Sequence, residues 1–145
     1  MSHDAELHQI GEVAERVGLS LRTVRYYEEV GLVRPSARSD GGFRLYSEDD
    51  IQRLLVVKRM KPLGLTLDEM AQLLEGLEQS ARPDGLDVAE LGGVVARLAE
   101  FAERSDERIA ALERELSEAR TLRLRISERL GRCEAVLERA GKTPR

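Results

Sequence analysis

The sequence predicts a mainly α-helical protein, with a small N-terminal helical domain carrying one β-hairpin, followed by a long C-terminal helix. Three observations predict it. Two short helical faces are separated by a Gly-Leu-Ser break, a Gly-rich hairpin pattern follows them, and a seven-residue apolar period runs through the C-terminal part. Composition agrees. Of 145 residues, 34% are charged and only 3% aromatic, which suits exposed helices better than a compact sheet. The 41% of apolar residues is enough for a modest core.

The first face is Ile10, Val13, Ala14 and Val17, spaced i, i+3, i+4 and i+7 as one side of a helix. Gly18-Leu19-Ser20 breaks it, Gly18 suiting a left-handed turn and Ser20 an N-cap. The second helix, from about Leu21 to Glu29, turns Leu21, Val24 and Tyr27 inward and leaves Arg22, Thr23, Arg25 and Tyr26 outward. Two short helices joined this tightly make a helix-turn-helix. Residues 33–46 read as two short strands, with Asp40-Gly41-Gly42 supplying the turn and Phe43, Arg44 and Leu45 alternating in polarity. A hairpin packed after a helix-turn-helix is a wing.

Ser47-Glu48-Asp49-Asp50 opens a third helix bearing Ile51, Leu54 and Leu55, which ends near Pro62-Leu63-Gly64. Thr66 and Glu69 have capping-box spacing for a fourth, with Leu67, Met70, Ala71 and Leu74 on its apolar face and an expected end near Gly76. Pro83 and Gly85 mark a linker. The reading therefore divides the chain into an N-terminal domain over 8–78, a linker or short helix over 79–93, and a dimerisation helix over 94–140.

From Val88 onward one heptad register places Val88, Val95, Ala102, Ile109, Leu116, Arg123, Leu130 and Leu137 at one seam position, and Leu91, Leu98, Ser105, Leu112, Ala119, Ile126 and Cys133 at the other. A seam this long and narrow cannot bury itself and needs a partner helix, which predicts a homodimer. Gly92 and Gly93 each cost about 1 kcal/mol inside a helix, so the continuous helix is expected to begin near Val94 and to run roughly 70 Å. Gly141 is the expected stop, with Lys142–Arg145 frayed. Arg123 is a charge within the seam, with no account from the pattern.

The totals exclude several classes. No run of the roughly 18 apolar residues that a membrane-spanning helix requires is present. The N-terminus lacks the basic-then-apolar pattern of a secretion signal, and a single cysteine cannot form an internal disulfide. Together these predict a cytoplasmic location. No phosphate loop, nucleophile with its base, or carboxylate pair is visible, so no enzyme is predicted.

The net charge of −4 does not favour nucleic acid as a partner. Placement matters more than total. Within 22–46, Arg22, Arg25, Arg34, Arg38 and Arg44 face only Glu28, Glu29 and Asp40. Arg22 and Arg25, at i and i+3 beside Thr23 and Tyr26, suit a helix laid in the major groove. Surface pairing of these arginines with Glu28 or Glu29 is the alternative. Arg38, Arg44 and Tyr46 surround the wing tip, and all the tyrosines (Tyr26, Tyr27, Tyr46) lie in this region. Phosphate contact is favoured for Tyr26 and Tyr46, and Tyr27 also fits a core position.

The stretch from Ile10 to Glu75 resembles the DNA-binding domain of the MerR, or mercury-resistance-regulator, family. LRTVRYYEEVGLV, the GGFRLYSEDD junction and LGLTLDEM carry the resemblance, in order and at family spacing. It implies a dimer, joined by an antiparallel coiled coil, that binds double-stranded promoter DNA at a pseudo-palindromic operator. Distortion of an overlong promoter spacer would then serve RNA polymerase. It assigns Arg22, Thr23, Arg25, Tyr26 and Tyr27 to the recognition helix, Arg44 and Tyr46 to the wing, and Arg38 and Lys58 to backbone contacts.

The metal-binding cysteine set of the family is missing, since Cys133 is the only thiol and falls in the seam, where packing is the favoured role over sensing. No cofactor or metal is expected, and His3 and His8 are read as bystanders. The coiled-coil tail is expected to leave no room for a ligand-binding domain, so the effector is not assigned. A structural adaptor, its N-terminal domain docking another protein, is the alternative function.

Overall fold

The computed structural model describes residues 6–142. His3 and the segment 143–145 of the expected frayed end lie outside them. The apolar period of the first helix, α1 (Ile10–Val17), places Val13, Ala14 and Val17 in the core. At its end Gly18 takes φ 68°, a left-handed conformation in which a side chain costs about 1–2 kcal/mol. That turn lets the Leu19 N–H reach back to the Ala14 carbonyl at 3.0 Å, closing the last turn of the helix. Ser20 Oγ then accepts from the Thr23 N–H at 3.1 Å and starts α2 (Leu21–Glu29). Val24 and Tyr27 of α2 face the core, whereas Leu21, expected inward, is exposed at the first position of the helix.

The wing consists of β2 (Ala37–Arg38) and β3 (Arg44–Tyr46), antiparallel, with Gly42 at φ 81° in the turn. A strand that the pattern did not indicate, β1 (His8–Gln9), pairs with the other edge of β3, giving the sheet order β1-β3-β2. Two residues are too few to show alternation. His8 has a structural place in this sheet. It is buried opposite Tyr46, with Nδ1 3.1 Å from Glu12 Oε2.

Next, α3 (Glu48–Met60) starts with a reciprocal cap between Ser47 and Asp50 and buries Ile51, Leu54, Val57 and Met60. α4 (Leu67–Ser80) starts at Thr66, whose Oγ1 accepts from the Glu69 N–H at 3.2 Å. It passes through Gly76 to Ser80 because that glycine serves a close approach and not a stop. A Cβ at Gly76 would stand 3.3 Å from Leu98 Cδ2. After a 3-10 turn at Pro83–Gly85, α5 runs from Val88 to Lys142.

The start at Val88 lies six residues ahead of the expected one. Asp87 Oδ1 accepts from the Glu90 N–H at 2.8 Å and Glu90 Oε2 accepts from the Asp87 N–H at 3.0 Å, a reciprocal cap that nucleates the helix before its glycines. The chain divides into two compact units, Met1–Ala102 and Glu103–Arg145. The first unit reaches beyond the expected limit at residue 78 because Phe101, 5% exposed, joins the core of α1, α3 and α4, with Leu98 packed against it. Each fully buried aliphatic side chain of that core, such as Val24 or Leu54, contributes about 1.5–3 kcal/mol relative to an exposed position. No helix among the described residues is long and apolar enough to cross a membrane.

Candidate nucleic-acid interface

The exposed side of α2 follows from its inward side. With Val24 and Tyr27 fixed in the core, Arg22, Arg25 and Tyr26 point to solvent and Thr23 sits at the boundary. Thr23 is held by Ser20, their hydroxyl oxygens 2.8 Å apart. Neither Arg22 nor Arg25 makes an ion pair or hydrogen bond among the described residues, so the alternative of pairing with Glu28 or Glu29 is not what the fold adopts. Two uncommitted guanidinium groups one turn apart on a solvent-facing helix form a site for anionic or planar hydrogen-bonding partners. Tyr26, 44% exposed, lies beside them, its ring centroid 6.0 Å from that of Tyr27.

The wing arginines are placed differently. Arg38 Nη2 donates to Glu28 Oε1 at 2.5 Å, and Arg44 Nε donates to Glu28 Oε2. Arg38 Nη1 also donates to the Gly42 carbonyl at 3.2 Å. Glu28 raises the pKa of the Arg44 guanidinium above its ordinary value by accepting that hydrogen bond. Glu28 was legible only as a neighbour of Arg22 and Arg25, and the signal that identifies it is the pair of arginines ten and sixteen residues further on. Phe43, at the tip of the same hairpin, is a large exposed apolar side chain.

Two expected contact residues, Tyr46 and Tyr27, are buried, and a third, Lys58, is exposed but hydrogen-bonded to the backbone. Tyr46 is fully buried, and its hydroxyl has no partner among the described residues. As the last residue of β3, paired with His8 of β1, Tyr46 lies in the core cluster with Val13, Val17 and Leu54. Tyr27 is likewise buried, and burial raises the pKa of both phenols. Lys58 donates to the Val17 carbonyl at 2.8 Å, completing the C-terminus of α1, and its exposed ammonium keeps two further N–H donors.

Along α5, Val95, Ile109, Leu116, Ile126, Leu130 and Leu137 are exposed, as is Cys133, while Leu112 is half-buried. Leu98 is the exception to the expected open seam, since it is taken up by the core of the first unit. Val94 and Phe101 are the buried positions of α5, while Val95, expected to face a partner helix, is open. Among the described residues no group of three or more His, Cys, Asp or Glu is placed to hold a metal ion.

Residues 9–77 match the family described as MerR HTH family regulatory protein. An HTH-type transcriptional regulator of Pseudomonas aeruginosa is 33% identical over 125 residues, which cover 86% of this chain and 84% of that protein. The mercuric resistance operon regulatory protein of Bacillus cereus is 44% identical over 66 residues, 46% of this chain and 50% of that protein. Among solved structures, a MerR family regulator lacking the sensor domain and bound to promoter DNA shares the fold. Its TM-score is 0.56 at 20% identity, with 94% of each chain covered.

Proposed function

The chain belongs to the MerR family of helix-turn-helix regulatory proteins and is a DNA-binding transcriptional regulator; from that premise we propose that α2 is its major-groove reader and that it acts as a homodimer on a pseudo-palindromic promoter operator. The observation that carries the reading is the pair Arg22 and Arg25, exposed on one face of α2 and without a protein partner among the described residues. A guanidinium left open in this way can pair bidentately with guanine or grip a phosphate. Thr23 and Tyr26 border the same face, and Arg38 and Arg44 bring the wing to its side.

The dimer is supported by the exposed apolar positions of α5, which leave a helix face that water covers poorly. Two copies then meet the two half-sites. The proposed mode of action is indirect: contact energy stored in a bent or untwisted promoter spacer brings its elements to RNA polymerase. The place of action is the cytoplasm, with the promoter.

Fluorescence anisotropy of the full chain on a fragment of its own promoter, at rising salt, tests the reading. Affinity is expected to fall steeply, the logarithmic slope being about −0.9 per phosphate contacted. Arg22→Ala and Arg25→Ala are each expected to lose roughly 1–3 kcal/mol of operator binding. Unchanged affinity in both variants overturns the groove assignment. Negligible binding that salt does not alter points instead to a protein-docking adaptor.

A further inference from the structure

We propose that Glu28 is the positioning residue of the DNA interface, an acid on the reading helix that sets the wing arginines and so joins wing and helix into one rigid contact surface. The inference rests on the reading of this face as the DNA surface.

Hairpin register raises the need for such a group. Arg38 and Arg44 stand directly opposite each other across β2 and β3. Like charges at that position repel and splay a hairpin. The strands contain only two and three residues, too few to hold the outer strand by backbone pairing alone. Glu28 meets both demands. Its two carboxylate oxygens are divided between the arginines, one accepting from Arg38 Nη2 at 2.5 Å and the other from Arg44 Nε. At 18% side-chain exposure it lies deeper than Arg38 (47%) and Arg44 (27%), so the anion forms the base and the cations the rim.

The geometry leaves the arginines usable. Arg44 spends only Nε on Glu28, and its two terminal nitrogens have no other protein partner among the described residues. A guanidinium pinned through Nε keeps four of its five N–H donors in a fixed plane for a phosphate. Arg38 is fixed twice, through Nη2 to Glu28 and through Nη1 to the Gly42 carbonyl at 3.2 Å, which also ties the wing turn. Because Glu28 belongs to α2, the same carboxylate sets the spacing between the wing arginines and the Arg22–Arg25 face. Holding the arginines in place before binding removes the ordering cost that a free side chain would meet on the DNA.

The sign of one substitution separates this role from its rivals. Glu28→Gln removes a negative charge from a surface meant for DNA, so electrostatics alone predicts tighter, more salt-sensitive binding. The positioning role predicts the opposite. In the full chain on its promoter fragment, Glu28→Gln is expected to weaken binding by about tenfold or more and to lower the magnitude of the salt slope by about one for each phosphate that the wing ceases to grip. Adding Arg44→Ala to Glu28→Gln is expected to cost little further, since both changes disable one unit. Glu28→Asp, which keeps the charge, is expected to recover part of the affinity.

Thermal unfolding of each variant is read alongside. A loss of affinity with full Arg44→Ala sensitivity and an unchanged salt slope is the mark of a merely structural residue, and overturns the proposal. Equal or tighter binding by Glu28→Gln overturns it too. If the wild-type chain itself shows no salt-dependent promoter binding, it is the DNA reading that fails.

Discussion

Tyr26 and Tyr46 carry the same phenol and end in opposite surroundings, one 44% exposed beside Arg22 and Arg25, the other fully buried beneath the wing. The composition of a segment does not distinguish them, because a tyrosine at a hairpin base serves a phosphate or a core equally well. Register decides: His8 lies opposite Tyr46, and β1 closes that side of the sheet. The buried hydroxyl of Tyr46 has no partner among the described residues, and such a group costs about 1–3 kcal/mol. Tyr46→Phe is therefore expected to leave promoter affinity unchanged and to hold or raise stability by up to that amount, measured by anisotropy and urea unfolding. Loss of affinity at full stability would return this phenol to the DNA. Burial raises the folded-state pKa of Tyr46, so its neutral form contributes stability that is present below the ordinary tyrosine range and lost as pH rises through the folded value. The variant should accordingly lose less stability in alkali than the wild type.

Elements meet through charges that local patterns do not pair. Arg16 at the end of α1 donates through both terminal nitrogens to Glu48 in the first turn of α3, at 2.6 and 3.0 Å. Glu48 was legible as an N-terminal helix acid, but its partner stands 32 residues away and follows only from the packing of α1 on α3. The hydrogen bond from Arg16 holds the Glu48 carboxyl below the usual carboxylate range. A depressed folded-state value contributes stability above the unfolded pKa that is lost as pH falls through the folded one. Urea midpoints of wild type and Glu48→Gln should therefore differ most near neutrality and converge in acid. A difference that stays constant with pH would show that Arg16 does not favour the ionised form. Both side chains are well exposed, so the effect is modest and shrinks with salt. The position of Gly76 shows the same limit of local reading, since a glycine that looks like a helix stop is the gap into which Leu98 fits.

At the scale of the whole molecule the heptad period and the buried set of α5 answer different needs. Val94 and Phe101 are buried in the first unit, Phe101 within its core, while Ile109, Leu116, Ile126 and Leu130 remain about half exposed in the second. A helix face of that kind gains most from a second copy, which is why the proposed dimer is expected to depend on it. Leu116→Lys combined with Ile126→Lys should convert a dimer into a monomer in sedimentation equilibrium, with the thermal unfolding of the first unit retained. Promoter affinity should fall because two half-sites are no longer held by one assembly. A dimer surviving both substitutions would move the seam elsewhere.

The sequence by itself determined the helices, the wing hairpin and their order, though not β1, because helix periods, the Gly18 turn, the Ser20 and Thr66 caps and the heptads are interactions over a few residues. It also determined which face of α2 is open, since Val24 and Tyr27 leave Arg22 and Arg25 nowhere but outward. Only the tertiary structure decided that Glu28 holds Arg38 and Arg44, that Lys58 finishes α1, that Tyr46 is core, and that Phe101 belongs to the first unit. Each of these joins residues distant in the chain. Their partners are chosen by how helices and strands pack, and a local pattern of polarity holds no record of that choice.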